Sequence, residues 1–281
     1  MSKQSRVLKL ISRDSVGVYR SKEWMEKGDS LLASSRELRL SWTLNQRKLK
    51  RTLKNLHLIT EKDRRLFSSD KHLLGPSYML LGYAAEMYLK AGLATVIHGC
   101  SEQLFKHLSS KEYGHKLQKI AQSIYFKLDK ESSTDLVDLQ AFIESEGRYP
   151  IEADDRNDLI NQSNSLRLRS SNKTYYRRLC RLVERIARHS ADLGGNRRTP
   201  ASTGTWQYDD DGYISLWLKT GLPPRITYRL SQKLTLEREP MVVLREMIRS
   251  LPGLNAAWPH CDLYEEVVGA KVALKRRQII E

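Results

Sequence analysis

Cysteine is scarce and scattered. The chain has three, Cys100, Cys180 and Cys261, with no CxxC pair, which excludes a disulfide framework or a zinc knuckle as the organising element. No metal site is expected, and such cysteine usage fits a reducing cytoplasm. Long apolar runs are lacking too. The longest, near residues 78–97, is interrupted by Glu86 and Lys90, and the basic opening MSKQSRVLKLISRDSVGVYR has no continuous apolar core. Neither a membrane-spanning helix nor a signal peptide is expected. GxxxxGK[ST], GxSxG and HExxH are all missing, and with them the phosphate cradle, the nucleophile elbow and the zinc-protease helix. No cofactor is expected. Acidic residues are in deficit: 33 Asp and Glu stand against 48 Lys and Arg, a formal charge of +15. A polyanion is therefore the first partner to consider, and nucleic acid the first polyanion.

What is present reads as helix over the first two thirds of the 281 residues. Trp24, Leu31, Leu38, Trp42, Leu49, Leu53 and Leu56 recur at steps of three, four or seven, which lays one stripe along one long helix or two collinear ones. Gly75-Pro76 is expected to break the chain and Ser77 to cap a second helix running to about His98, with Gly99 as its stop. A third opens at Gly114. The cap-rich Ser132-Ser-Thr-Asp135 precedes a fourth, which Gly147 and Pro150 end. A last helix is expected from about Asn164 to Asp192, with Leu168, Tyr175, Leu179, Leu182 and Ile186 on its apolar side.

The period then changes. GGNRRTPASTGT reads as a flexible linker, and beyond it apolar residues alternate. Trp206 and Tyr208 precede the turn signal Asp211-Gly212, then come Ile214, Leu216 and Leu218, then Ile226, Tyr228 and Leu230. Pro240 is expected to start a helix to Arg249, and the spacing of Leu263, Val267, Ala270 and Leu274 predicts a final one. The expected fold class is mainly α, a helical bundle over residues 15–192, a linker over 193–204, and a small β-meander with two helices over 205–281.

Basic residues cluster. Between Arg167 and Arg198 the only acidic residues are Glu184 and Asp192. Arg177, Arg178, Arg181, Arg185 and Arg188 sweep a broad face of the last helix, spaced for contacts along a phosphate backbone, with Tyr175 and Tyr176 beside them to stack on unpaired bases. A second run, Arg47-Lys-Leu-Lys-Arg51 with Lys54, lies on the first helix. His189 reads as part of the basic face. The alternatives to nucleic acid are a solvated basic face or an acidic protein partner; a homodimer is also compatible. Asp209-Asp-Asp-Gly212 reads as a hairpin turn and not as a calcium loop.

Glu86 and Lys90 stand at i and i+4, where an exposed pair contributes only about 0.2–0.5 kcal/mol. Leu80, Tyr83, Met87 and Leu93 leave little of that helix polar. Glu86 is thus expected to be partly buried and to need a partner from another helix. The candidates are His115 and Arg148, in a polar cluster of Glu86, Lys90, His115 and Arg148 that either sets helix register or binds a nucleotide or phosphate.

GYAAEMYLKAGL on one helix, YGHKLQKI opening the next and EGRYP closing the one after resemble the HEPN family of helical bundles, over roughly residues 20–192. The resemblance implies a bundle fold and a place among metal-independent ribonucleases, nucleotide-binding modules and non-catalytic members, many in bacterial defence and stress systems. The family's ribonucleases carry an arginine followed four to six residues on by histidine. Here the corresponding stretch reads Arg156-Asn-Asp-Leu-Ile-Asn-Gln-Ser163, without the histidine. Arg51/His57 and Arg65/His72 have the spacing but lie before the GYAAEMYLK helix. The reading is a non-catalytic protein that binds nucleic acid, RNA first. The alternative enzyme is a metal-independent endoribonuclease with Arg156 as its catalytic candidate.

Overall fold

The computed structural model describes residues 8–52, 61–146, 153–231, 233–234, 239–268 and 272–279, with the side chains of 61–72, 146 and 240 outside that description. The chain forms two compact units. One comprises Trp24–Leu89 and His115–Arg188; the other comprises Met1–Glu23, Lys90–Gly114 and His189–Glu281. The chain is mainly helical, with a sheet near its C-terminus.

The helices are α1 (Ser21–Thr52), α2 (Glu61–Val96), α3 (Glu102–Lys106), α4 (Leu117–Ser123), α5 (Lys130–Ala141), α6 (Arg156–Ser171) and α7 (Lys173–Asp192). Both α3 and α5 run on into π-helical turns, His107–Glu112 and Phe142–Glu146.

In the first unit α1 buries Gly28, Leu32, Ser35, Arg39 and Leu49. The expected stripe of Trp24, Leu31, Leu38 and Trp42 is half-buried beside them, and Leu53 and Leu56 lie outside the described residues. Small and polar side chains therefore hold the centre of the seam. The expected break at Gly75-Pro76 does not occur: α2 continues through Pro76. Proline forfeits one helical hydrogen bond and clashes with the preceding turn, at a cost of about 3 kcal/mol. Burial just beyond it offsets that loss, for Tyr78, Leu81, Ala84, Ala85, Tyr88 and Leu89 are almost wholly removed from water. Ser77 is no cap. Its Oγ donates to the Leu74 carbonyl at 2.7 Å, while its own carbonyl accepts from Ser35 Oγ at 2.6 Å.

The expected helix over Asn164–Asp192 is two helices. α6 stops at Ser171, and Asn172 caps α7 by accepting from the Thr174 and Tyr175 amides at 2.9 and 3.1 Å. The buried side chain of Arg39 explains the break. Its Nη1 and Nη2 donate to the Ser170 and Ser171 carbonyls at 2.6 and 3.0 Å, ending α6 on a cation where the helix dipole is negative. Its guanidinium lies 4.4 Å from the Trp42 ring centre and 4.9 Å from that of Tyr176. Leu168, expected on the apolar side, is 74% exposed as a result.

The second unit is built on a sheet: β1 (Ala201–Gln207), β2 (Tyr213–Lys219), β3 (Arg225–Arg229), β4 (Asp262–Val268) and β5 (Val272–Arg277), in that spatial order. Neighbours are antiparallel except β3 and β4, which are parallel. A parallel pair needs a crossover, and α8 (Pro240–Arg249) with α9 (Pro252–Ala257) forms it. The hairpin at Asp209–Gly212 is present, with Asp209 Oδ1 accepting from the Gly212 amide at 2.5 Å. Residues 201–204, expected within the linker, belong to β1.

The final helix expected through Leu263 and Leu274 is instead the β4–β5 hairpin. The four-three-four spacing imitates a helix, but the ladder Ile226↔Leu263 and the cross-strand pairs Glu265–Arg277 and Asp262–Arg276 satisfy the segment as strand. One sheet face carries Ile214, Leu216, Ile226, Tyr228 and Leu263 against Val243, Leu244, Ile248 and Trp258.

The other face is buried as well, which alternation alone does not announce. Glu266, with no exposed side-chain surface, accepts from Ser101 Oγ at 2.7 Å and Tyr213 Oη at 2.6 Å, with Arg229 Nη1 at 3.6 Å. Ser215 Oγ donates to the His98 carbonyl at 2.7 Å. Gly99 has φ +84°, and a Cβ there would lie 2.0 Å from Thr205 Oγ1, so only glycine lets this turn meet β1.

Two consequences are measurable. Replacing Arg39 with Met keeps the stem but takes the charged donor from the Ser170 and Ser171 carbonyls, leaving Ser170 with Tyr78 Oη alone, and empties the aromatic cage. Urea unfolding of the helical signal should show a loss of about 2–4 kcal/mol, and Arg39→Lys should lose less. In the other unit, His98 Nδ1 is buried without a hydrogen-bond partner among the described residues. Burial lowers its pKa from the ordinary 6.5, and nearby Arg13 lowers it further. At higher pH both folded and unfolded histidine are neutral. As pH falls through 6.5 the unfolded chain takes up a proton that the folded chain resists, so stability drops. Thermal melts of wild type and His98→Gln should diverge below about pH 6.5, with the variant less acid-sensitive.

Candidate nucleic-acid interface

α7 is sharply two-sided. Tyr176, Leu179, Leu182, Val183 and Ile186 are buried at helical spacing, while Arg177, Arg181, Arg185 and Arg188 are exposed. These arginines fall at i, i+4, i+8 and i+11, within one sector of the helix. Two of them lie back along their own helix, Arg181 Nε donating to the Arg177 carbonyl at 3.4 Å and Arg188 Nε to the Glu184 carbonyl at 3.3 Å. Arg185 reaches Ser132 Oγ at 3.3 Å and holds its guanidinium 5.7 Å from the Phe126 ring centre. Glu184, the acid within the stripe, is engaged by Arg36 of α1.

Arg178 does not belong to the free face. Its Nε and Nη2 donate to the two carboxylate oxygens of Asp135 at 3.0 and 2.7 Å, and its Nη1 lies 3.2 Å from Glu131. The hydrogen bond to Asp135 raises its pKa above the ordinary arginine value. A bidentate pair of this kind fixes geometry, and the carboxylate cancels the charge that a phosphate would seek.

Neither tyrosine serves as a stacking platform. Tyr175 Oη donates to Asp138 Oδ2 at 2.5 Å, with its ring 5.9 Å from that of Tyr78. Tyr176 is 6% exposed, with its hydroxyl 2.8 Å from Ser35 Oγ. Both rings are committed to the bundle. Tyr175–Asp138, Arg178–Asp135 and Arg185–Ser132 form an antiparallel ladder between α7 and α5. Its signal was in the sequence: Glu131, Asp135 and Asp138 recur at i, i+4 and i+7. As read from sequence, Asp135 counts only as part of the cap-rich Ser132–Asp135, and the spacing goes unused. The actual cap of α5 is Asp129, which accepts from the Ser132 amide at 2.7 Å.

The polar cluster is met in part. His115 Nδ1 and Glu86 Oε2 are 2.8 Å apart, with the Glu86 side chain 2% exposed, and the Tyr83 ring stands edge-on to His115 at 6.1 Å. Lys90 is buried, and Arg148 lies outside the described residues. His115 is held by a carboxylate, which does not favour an added phosphate. Beyond it, a cleft of about 390 Å³ is lined by Lys116, Gln118, Lys119, Gln140 and Glu144, a mixture of signs.

Arg156 is exposed in the first turn of α6, in sequence among Asp154, Asp155 and Asp158. Those carboxylates oppose the charge that develops in phosphoryl transfer. Of the alternative pairs, His57 lies outside the described residues, as do the side chains of Arg65 and His72; so does Lys54 of the second basic run. His189 is half-buried.

All three cysteines are free and buried. Burial pushes Cys100 up to about 11 and Cys261 up to about 12, so these thiols are not nucleophiles at neutral pH. Among the described residues no three His, Cys, Asp or Glu side chains gather to hold a metal, and no helix is long and apolar enough to cross a membrane.

Comparison with protein-family models, curated proteins and solved structures finds no match.

The Glu86–His115 contact yields a stability test. His115→Ala should cost about 1–3 kcal/mol in urea unfolding, because a buried carboxylate loses a partner. The same substitution in a Glu86→Gln background should cost less, and that difference measures the coupling.

Proposed function

We propose that the protein binds nucleic acid, RNA in the first instance, through the exposed arginines of α7, and that it does not cut it. The observation that carries this reading is the stripe of Arg177, Arg181, Arg185 and Arg188, exposed on a helix whose one intervening acid is already paired. The net charge of +15 adds long-range attraction for a polyanion. A non-catalytic role is supported by the missing histidine after Arg156 and by the carboxylates around that arginine. Residues 15–192 are, in the same reading, a HEPN-like bundle, supported by GYAAEMYLKAGL on α2 and by His115 of YGHKLQKI set against Glu86. A place in a bacterial defence or stress system rests on that resemblance alone, and a cytoplasmic location on the scattered cysteines.

The test is fluorescence anisotropy of labelled RNA with nuclease-treated protein across a salt series, with the RNA afterwards run on a gel. Four phosphate contacts should give a slope of log affinity against log salt of about −3. Changing Arg177, Arg181, Arg185 and Arg188 together to glutamine should leave the circular dichroism unchanged and flatten that slope. Equal binding by the variant would refute the assigned face. RNA cleaved without metal would make the protein a ribonuclease.

A further inference from the structure

We infer that the arginine stripe takes the sugar-phosphate backbone of a duplex, and not unpaired nucleotides. The inference rests on the nucleic-acid reading above and narrows its substrate class. Proteins that hold single strands combine a basic groove with aromatic faces on which successive bases stack, and that stacking repays the ordering of a flexible chain. α7 offers the charge without the platform. Its two aromatic side chains stand at the head of the stripe, but Tyr175 is bonded to Asp138 and Tyr176 is buried against Ser35. Phe126, the ring nearest Arg185, is 8% exposed and lies beneath that guanidinium.

The arginines themselves are set for a row of phosphates. Successive steps along α7 are about 6, 6 and 4.5 Å, so the stripe spans about 16 Å, a length over which one strand of even a B-form duplex advances by about five phosphates. A stiff helix ridge suits a partner whose phosphates are already in register. Bases paired inside a duplex need no protein ring to cover them. With the contacts confined to backbone oxygens, binding carries no base preference.

The experiment compares the full-length protein on three RNAs of mixed sequence: a duplex, one of its strands, and a single strand of twice that length, which matches the duplex in phosphate count. The longer strand carries 2-aminopurine as a stacking reporter. The expected result is a duplex affinity about tenfold above that of either single strand, unchanged when the base sequence is permuted, with no response of 2-aminopurine. A single strand that binds as tightly as the duplex, or a 2-aminopurine signal that shifts on binding, overturns the inference and leaves the arginine-stripe reading in place. Failure of all three RNAs to bind at low salt removes that reading, and this inference with it. The Arg177→Gln, Arg181→Gln, Arg188→Gln triple variant should lose the duplex preference while its thermal melt stays at the wild-type position; retention of the preference also overturns the inference.

Discussion

The helical unit depends on one buried guanidinium. Arg39 sits on the inward side of α1 and donates to the last carbonyls of α6, with its flat face against Trp42 and Tyr176. Burial lowers its pKa from the ordinary arginine value, and the aromatic faces and helix carbonyls supply the compensation that a desolvated cation requires. The Ser170 carbonyl also accepts from Tyr78 Oη at 3.0 Å, and Ser35 joins α1 to both Ser77 and Tyr176. α1, α2, α6 and α7 therefore meet at one polar knot inside an apolar bundle. Lysine would replace it only in part, because only a planar fork can serve two carbonyls and stack at once.

That knot decides which way α7 faces. Ending α6 at Ser171 lets α7 restart in a new direction from the Asn172 cap, and the inward turn of Tyr176 fixes the rotation of everything after it. Arg177, Arg181, Arg185 and Arg188 then point outward, while Arg178 meets Asp135. Arginines one residue apart on the same helix thus have opposite fates. Arg177 stays exposed to solvent; Arg178 commits its charge to fold geometry, since a bidentate pair to a buried carboxylate is worth more than an exposed ion pair. A stretch this rich in arginine is half structural and half available.

Periodicity made most of the helical unit legible. The buried run of α2, the start of α8 at Pro240 and the turn at Asp209–Gly212 follow from local signals that tertiary packing did not oppose. The misreadings share a cause, which is that a local signal was outweighed by a distant contact. Pro76 announces a stop, but buried Tyr78 and Leu81 hold the helix on. Leu263, Val267, Ala270 and Leu274 announce a helix, but the parallel edge of β3 offered a ladder and Arg276 and Arg277 found acids across it. Arg39 carried no local signal at all, being one more arginine in a basic chain until Ser170 and Ser171 were brought to it. Of the candidate site, the four outward arginines were legible from spacing. The commitment of Tyr175, Tyr176 and Arg178 was not, because it depends on Asp138 and Asp135 of α5 and on Ser35 of α1, residues far away in sequence.

The sheet unit applies the same economy to polar groups. A small sheet with one apolar face normally leaves its other face to water, yet here Glu266, Tyr213 and Arg225 are removed from it. Glu266 is tolerable because two hydroxyls donate to it and Arg229 lies near. Arg225 stacks 4.0 Å from the Tyr264 ring centre with its Nε 3.4 Å from Thr227 Oγ1. Glu266 and Arg225 are thus enclosed by groups of their own unit, as desolvation demands. Arg39, Glu86 and Asp135 in the helical unit are likewise committed to neighbours. What α7 leaves outside is different: Arg177, Arg181 and Arg188 are exposed, with Arg181 and Arg188 bonded back along their own helix, while Arg185 lies near Asp129.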